Sequence, residues 1–227
     1  MTVVISVVGE HTIDSPPERA VLFVTASFET DDKHRTVEST TRLVRELTGE
    51  LESLTAEGGP ATWFSVGPMR THAWRPHAES GAIMPLRHVA SVPVQVKFRD
   101  FGQLAAFSAR FGRRTGVRLD RVEWRLTQVT ERGVKEAALA GAVANARARA
   151  LVMARAAGFT DVTASQLADP GLLEGTPGDG PPAPFAKAEV RLAAADSGAA
   201  DLDPEAIDLK PEDVSISATV HARFTAR

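Results

Sequence analysis

Cysteine and tyrosine are absent from the 227 residues, and asparagine occurs once, at Asn145. Without cysteine there can be no disulfide, no thiol nucleophile and no thiolate metal site. The single asparagine does not open a glycosylation sequon. Long apolar runs are missing as well, and nothing approaches the ~20 residues that a membrane-spanning helix needs. The opening Met1–Glu10 has no basic segment and too short an apolar run for a secretory signal, so the expected location is the cytoplasm. An excess of positive charge is lacking too. The 26 basic residues stand against 29 acidic ones, for a net charge of −3, which argues against a generic nucleic-acid binder.

What is present is an ordinary globular composition, 43% hydrophobic and 24% charged, enough for a substantial core. The clearest local pattern comes last. From Val214 to Phe224 every even position is apolar and every odd position polar, as in a half-buried β-strand. Its inward set is Val214, Ile216, Ala218, Val220, Ala222 and Phe224. A strand placed there leaves the fold open until the chain's last residues join it.

Other elements follow by the same reasoning. Residues 3–8 form a short apolar strand that Gly9 ends or bends, and Ala20–Phe28 forms a second. Asp31-Asp32 then precedes a helix from about Lys33 to Ala56, with Val37, Leu43, Leu47, Leu51 and Leu54 on one face. Trp63–Trp74 reads as one strand in which Pro68 marks an irregularity or an edge, followed by a hairpin loop at 75–85. In Val89–Phe98 the inward residues are Ala90, Val92, Val94, Val96 and Phe98. Pro93 cannot donate to a ladder, which places this strand at an edge or a bulge. Asp100 can cap a helix to about Phe111, and Val117–Val129 is a further strand.

A long alanine-rich helix is expected from about Glu131 to Ala157, with an apolar stripe of Leu139, Val143, Ala146, Ala150, Met153 and Ala157 and a terminating Gly158. Strands are expected near Val162–Ala168 and Ala188–Ala194. The segment 170–186 holds five prolines and four glycines and reads as an exposed, mobile loop. Residues 196–213, with seven acids against one lysine, read as an acidic connection. Strands do not alternate strictly with helices, so the expected class is α+β, a mainly antiparallel sheet packed against helices in a single domain over 1–227. Two β-β-α-like passages suggest duplicated β-α-β units, although no residue-level repeat supports a duplication.

Three stretches resemble the SIMPL-domain family. Val8-Gly9-Glu10, followed by Pro17-Glu18-Arg19-Ala20, is similar to the family's opening "G-E-G … P-D-x-A" pattern, with His11 in place of the second glycine and Glu18 in place of aspartate. Ala137–Gly158 resembles its alanine-rich helix. Lys210-Pro211-Glu212-Asp213-Val214-Ser215-Ile216-Ser217-Ala218 resembles its closing strand, with Asp213 displacing part of the preceding turn. The resemblance implies a structural or binding protein, sometimes self-associating and linked broadly to stress responses and signalling. Many bacterial relatives are exported. It carries over no catalytic residues.

No catalytic signature is legible. There is no G-x-S-x-G elbow and no H-E-x-x-H, and Gly175–Gly180 is set among prolines with no helix after it, so it lacks the dipole of a phosphate loop. His72, His77 and His88 flank one hairpin, but their spacing matches no ligand motif and they read as solvent-facing or capping groups. The dense basic run of Arg110, Arg113, Arg114, Arg118, Arg121 and Arg125 is opposed by Asp120 and Glu123 and reads as a solvated face. Trp63, Trp74 and Trp124 are core or interface anchors. Partner-contact candidates are Trp63, Trp74, Arg121 and Arg125. The expectation is a non-enzymatic binding or self-assembling protein that forms a homo-oligomer without cofactor, metal, nucleic acid or membrane span. The alternative is a small-ligand carrier or enzyme with a pocket between the sheet and the long helix.

Overall fold

The structure, a computed structural model, describes residues 2–77, 83–173 and 209–227. The elements run β1 (Val3–Ser15), β2 (Arg19–Thr30), α1 (Lys33–Leu54), β3 (Ala61–Val66), β4 (Arg70–Trp74), β5 (Arg87–Phe98), α2 (Phe101–Gly112), β6 (Val117–Arg125), α3 (Gln128–Ala156), β7 (Val162–Ala168) and β8 (Val214–Ala226). The class is α+β: three helices with two sheets, every described strand pair antiparallel. The expected strand at 188–194, most of the 170–186 loop, residues 196–208 of the acidic connection and the tip of the 75–85 hairpin lie outside the described residues. The described chain divides into two compact units, residues 2–16, 126–173 and 213–227 in one, and 17–77, 83–125 and 209–212 in the other.

The first unit is a three-stranded sheet, ordered β1-β8-β7, with α3 packed on it. The last strand is its centre, and β8 pairs with β1 over thirteen residues, from Val3 opposite Ala226 to Ser15 opposite Val214. Ile216, Val220, Ala222 and Phe224 are buried as the alternation requires, and the pattern runs on to Ala226. Gly9 neither ends nor bends β1; it sits mid-strand. A Cβ there would lie 2.1 Å from the Ala142 carbonyl oxygen and 2.7 Å from the Ala146 Cβ, so the residue is glycine because α3 passes directly over it.

That closeness selects the buried face of α3. It consists of Ala138, Ala142, Ala146, Ala150 and Ala154, one residue per turn at i, i+4 spacing. Of the expected stripe, Ala146 and Ala150 are buried, but the larger members turn away: Leu139 and Met153 are 45% and 52% exposed, Ala157 is exposed, and Val143 is half-buried. A leucine or methionine cannot fit where a helix backbone meets a glycine in the strand beneath. The Thr127 hydroxyl caps α3, accepting from Thr130 N–H at 3.4 Å, which starts the helix three residues before the expected Glu131 and ends β6 at Arg125. Gly158 closes it with φ +87°, the conformation that favours glycine after a helix.

The second unit is a five-stranded sheet. Its order is β3-β5-β2-β6, and β4 also pairs with β5. One face of β2 and β5, including Leu22, Val24, Val92, Val94, Val96 and Phe98, packs against Leu43, Leu47 and Leu51 of α1 and Leu104, Phe107 and Phe111 of α2. Both helices begin at aspartate caps: Asp32 accepts from Arg35 N–H at 2.6 Å and Asp100 from Gln103 N–H at 3.0 Å.

Two expectations about this sheet change. The strand read over 63–74 is two strands, broken at Gly67-Pro68-Met69. That break explains Pro93. The strand that carries it is not an edge, because β5 lies between β2 and the β3/β4 pair. The Pro93 carbonyl accepts from Gly67 N–H at 2.8 Å, so its ring nitrogen faces the gap where β3 gives way to β4, and no ladder donor is lost. Among the described strands the edges of this sheet are β3/β4 and β6.

Candidate functional site

The four partner-contact candidates all belong to the five-stranded unit. Pleating sorts them. Residues that alternate with the buried set on β2, β5, β3 and β6 point to the sheet face away from α1 and α2. Trp63 stands opposite Lys97, Lys97 opposite Val21, and Val21 opposite Glu123, so these four make one row across four strands. The next row holds Ser65, Gln95, Phe23 and Arg121. Each row spans roughly 14 Å, three strand spacings.

Cations cover the aromatics on this face. The Lys97 ammonium lies 5.6 Å from the Trp63 ring centre, and the Arg121 guanidinium lies 3.8 Å above Phe23. Phe23 and Lys97 did not stand out in the sequence. The available signal was an aromatic at an odd position of β2, between the buried Leu22 and Val24.

Glu123 links the arginines. Its carboxylate takes Arg121 at 2.9 Å and Arg125 at 2.5 Å. Burial acts to raise this carboxyl, but the hydrogen bonds and charges of Arg125 and Arg121 prevail and hold it below the usual carboxylate range. Asp120 behaves alike. Burial acts to raise it, while the Thr25 hydroxyl, donating at 2.6 Å, and Arg118, also at 2.6 Å, together with the charges of Arg118 and Arg121, bring it down. Asp120 sits in a bulge where the β2–β6 register shifts between Phe23 and Val24.

The rest of the basic run is dispersed. Arg110 pairs with Glu50 and Arg114 with Glu46, both on α1, away from this face. Trp124 is half-buried against the core, edge-on to Phe101 with ring centres 5.0 Å apart. Trp63 and Trp74 share the β3/β4 edge but do not meet. Trp63 pairs opposite Lys97 and Trp74 opposite Arg87, roughly 33 Å apart along β5.

The histidines do not converge. His72 is opposite Val89 while His88 is opposite Ala73, so the pleat turns their side chains to alternate faces, and His77 lies beyond the end of β4. Among the described residues no three histidine, aspartate or glutamate side chains come together as metal ligands would. A shallow depression of about 170 Å³ lies beside them, lined by residues that include Lys33, Thr36, His72 and His88. It falls short of the roughly 300 Å³ at which pockets begin to enclose a metabolite. The Thr36 hydroxyl is held by the Asp32 carbonyl at 2.7 Å and is not presented as a nucleophile. The contact between the long helix and its sheet is filled where Gly9 meets Ala142 and Ala146.

Comparison with known proteins adds one finding. A family model described as "SIMPL: Protein of unknown function (DUF541)" matches residues 5–224, a span that takes in both units. No curated protein matches the chain. No described helix is long and apolar enough to cross a membrane.

Proposed function

The chain belongs to the SIMPL family, and from that premise we propose that it acts without catalysis, by association with copies of itself, through the β3/β4 side of the five-stranded sheet. One observation carries the reading. Trp63 and Trp74 are each 45% exposed, and both stand on a sheet edge that no other described strand pairs with. Tryptophan is costly to leave in water and is the residue most enriched where interfaces hold their energy. An edge with free backbone groups needs cover, and a second subunit provides it.

The adjoining face suits self-association. It carries Lys97, Arg121 and Arg125 beside Asp120 and Glu123, both signs on one surface. Under a two-fold axis each patch meets its own copy, so cations of one subunit can face carboxylates of the other.

The absence of catalysis is supported by chemistry rather than by any single residue. Among the described residues the buried polar side chains are Thr36, Thr40 and Ser108, none of which titrates near neutral pH. The two carboxyls with displaced pKa values, Asp120 and Glu123, are paired with arginines, and structural ion pairs displace pKa values as active sites do. The test is the mass of the full chain by sedimentation velocity at micromolar concentration, for the parent and for Trp63→Ser/Trp74→Ser. A parent of at least dimer mass that shifts toward monomer in the variant is expected. A monomeric parent overturns the reading.

A further inference from the structure

A second surface for strand pairing lies at the edge of β1 that faces away from β8, and α3 covers part of it. In an antiparallel pair, every second residue of an edge strand turns its N–H and C=O outward. On β1 two such residues are claimed by side chains of α3. Arg149 Nη1 donates to the Val8 carbonyl at 2.5 Å, and the Glu10 N–H donates to Asn145 Oδ1 at 3.3 Å. Asn145 and Arg149 are one helical turn apart, while Val8 and Glu10 are two residues apart along the strand, so the pair bridges one continuous piece of edge. Gly9, between them, is what lets the helix come this close. Asn145 is also the only asparagine in the chain.

The strand so covered is of the kind that pairs readily. Val3-Val4-Ile5-Ser6-Val7-Val8 has no charge and no proline and is β-branched at all but Ser6. Val3 and Val4 are 38% and 61% exposed.

We propose that Asn145 and Arg149 guard this edge, and that the occupant they exclude is β1 of a second copy, paired antiparallel. Self-pairing of Val3–Val8 opposes no like charges. Antiparallel self-pairing of β6 about its middle residue would set Arg121 against its own copy. The guard therefore directs association away from the three-stranded sheet. The proposal stands on β1 and α3 alone, so it holds or fails whatever mass the parent has.

The test uses the full chain carrying Asn145→Ala and Arg149→Ala, with amide hydrogen exchange and a light-scattering concentration series beside the parent. The Glu10 amide is expected to exchange roughly fivefold to tenfold faster, the equivalent of one lost hydrogen bond. The mass is expected to rise above the parent's as concentration increases. Adding Val4→Lys at this exposed edge position is expected to return the mass to the parent's. Unchanged Glu10 exchange, an unchanged mass, or a rise that Val4→Lys does not suppress each overturns the proposal. If the double variant melts below the parent, the single Asn145→Ala, which removes one bond at the surface, carries the same readings and is judged by the same outcomes.

Discussion

Replacing Gly9 by alanine will force α3 away from the sheet it packs on. The added Cβ would fall 2.1 Å from the Ala142 carbonyl oxygen and 2.7 Å from both the amide nitrogen and the Cβ of Ala146. Two of these three atoms are helix backbone, so no side-chain rotation relieves the clash. Carbon atoms rest about 3.5–4.0 Å apart, so the helix or strand must yield by about an ångström. The shift is felt along the whole buried stripe, because Ala138, Ala142, Ala146, Ala150 and Ala154 have no length with which to follow the sheet. Overpacking of this kind costs about 1–3 kcal/mol, and a rigid backbone contact belongs at the upper end. Removing a glycine from a strand returns roughly 0.5–1 kcal/mol. The net loss is therefore about 2 kcal/mol, which at this chain length lowers the melting temperature by roughly 4–8 °C.

Circular dichroism melts of parent and Gly9→Ala read this directly. Gly133→Ala is the control. It lies within α3, a Cβ there meets nothing within 4 Å, and the exchange should stabilise by about 0.5–1 kcal/mol through helix propensity. Opposite signs from two glycine-to-alanine changes are the signature of the close approach. A Gly9→Ala protein that melts with the parent would refute the argument that the alanine face exists to accommodate this strand.

Val220→Asp should destabilise by several kcal/mol, because the position is 4% exposed on the central strand and the new carboxylate would have no partner; denaturant titration checks this, and a midpoint equal to the parent's would remove β8 from the core. Leu47→Ala should cost about 2–5 kcal/mol at a site 1% exposed, again read by denaturant titration. The carboxyls of Glu123 and Asp120 are held below their ordinary range. A group with a lowered folded pKa binds protons more readily when unfolded, so the stability it contributes is whole at neutral pH and is lost as pH falls through the acid range. Glu123→Gln should flatten the fall in stability as pH drops below about 4.3, the ordinary glutamate value, and an unaltered slope there would mean that the arginine pairs contribute nothing measurable.

Strand alternation was the most legible feature of the sequence. Val214–Phe224 and Ala90–Phe98 alternate cleanly because each buries one face against helices; all five expected residues of the second are buried, and of the first Ile216, Val220, Ala222 and Phe224 are buried while Val214 and Ala218 are half-buried. Ends and interruptions were harder, since they depend on neighbours remote in the chain. Pro93 reads as an edge residue until Gly67-Pro68-Met69 is seen to break the strand beside it. Gly9 reads as a terminator until Ala142 and Ala146 are seen above it. In α3 the larger side chains outweigh alanine in any hydrophobic pattern, yet the contact distance to β1 selects the smallest ones, so Ala146 and Ala150 were placed correctly while Leu139, Val143 and Met153 were read in place of their neighbours Ala138, Ala142 and Ala154. Of the candidate site, Trp63, Arg121 and Arg125 fall on one unit and one sheet face. That shared face was not visible in the sequence, because it depends on β5 and β2 lying between β3 and β6.

If the Trp63/Trp74 edge holds copies of the chain together, as proposed, sedimentation velocity of the full chain across micromolar concentrations will show it, parent against Trp63→Ser/Trp74→Ser. The parent is expected at dimer mass or above, and the folded variant displaced toward monomer. A parent that sediments as a monomer throughout, or a variant that keeps the parent's assembly, would contradict it.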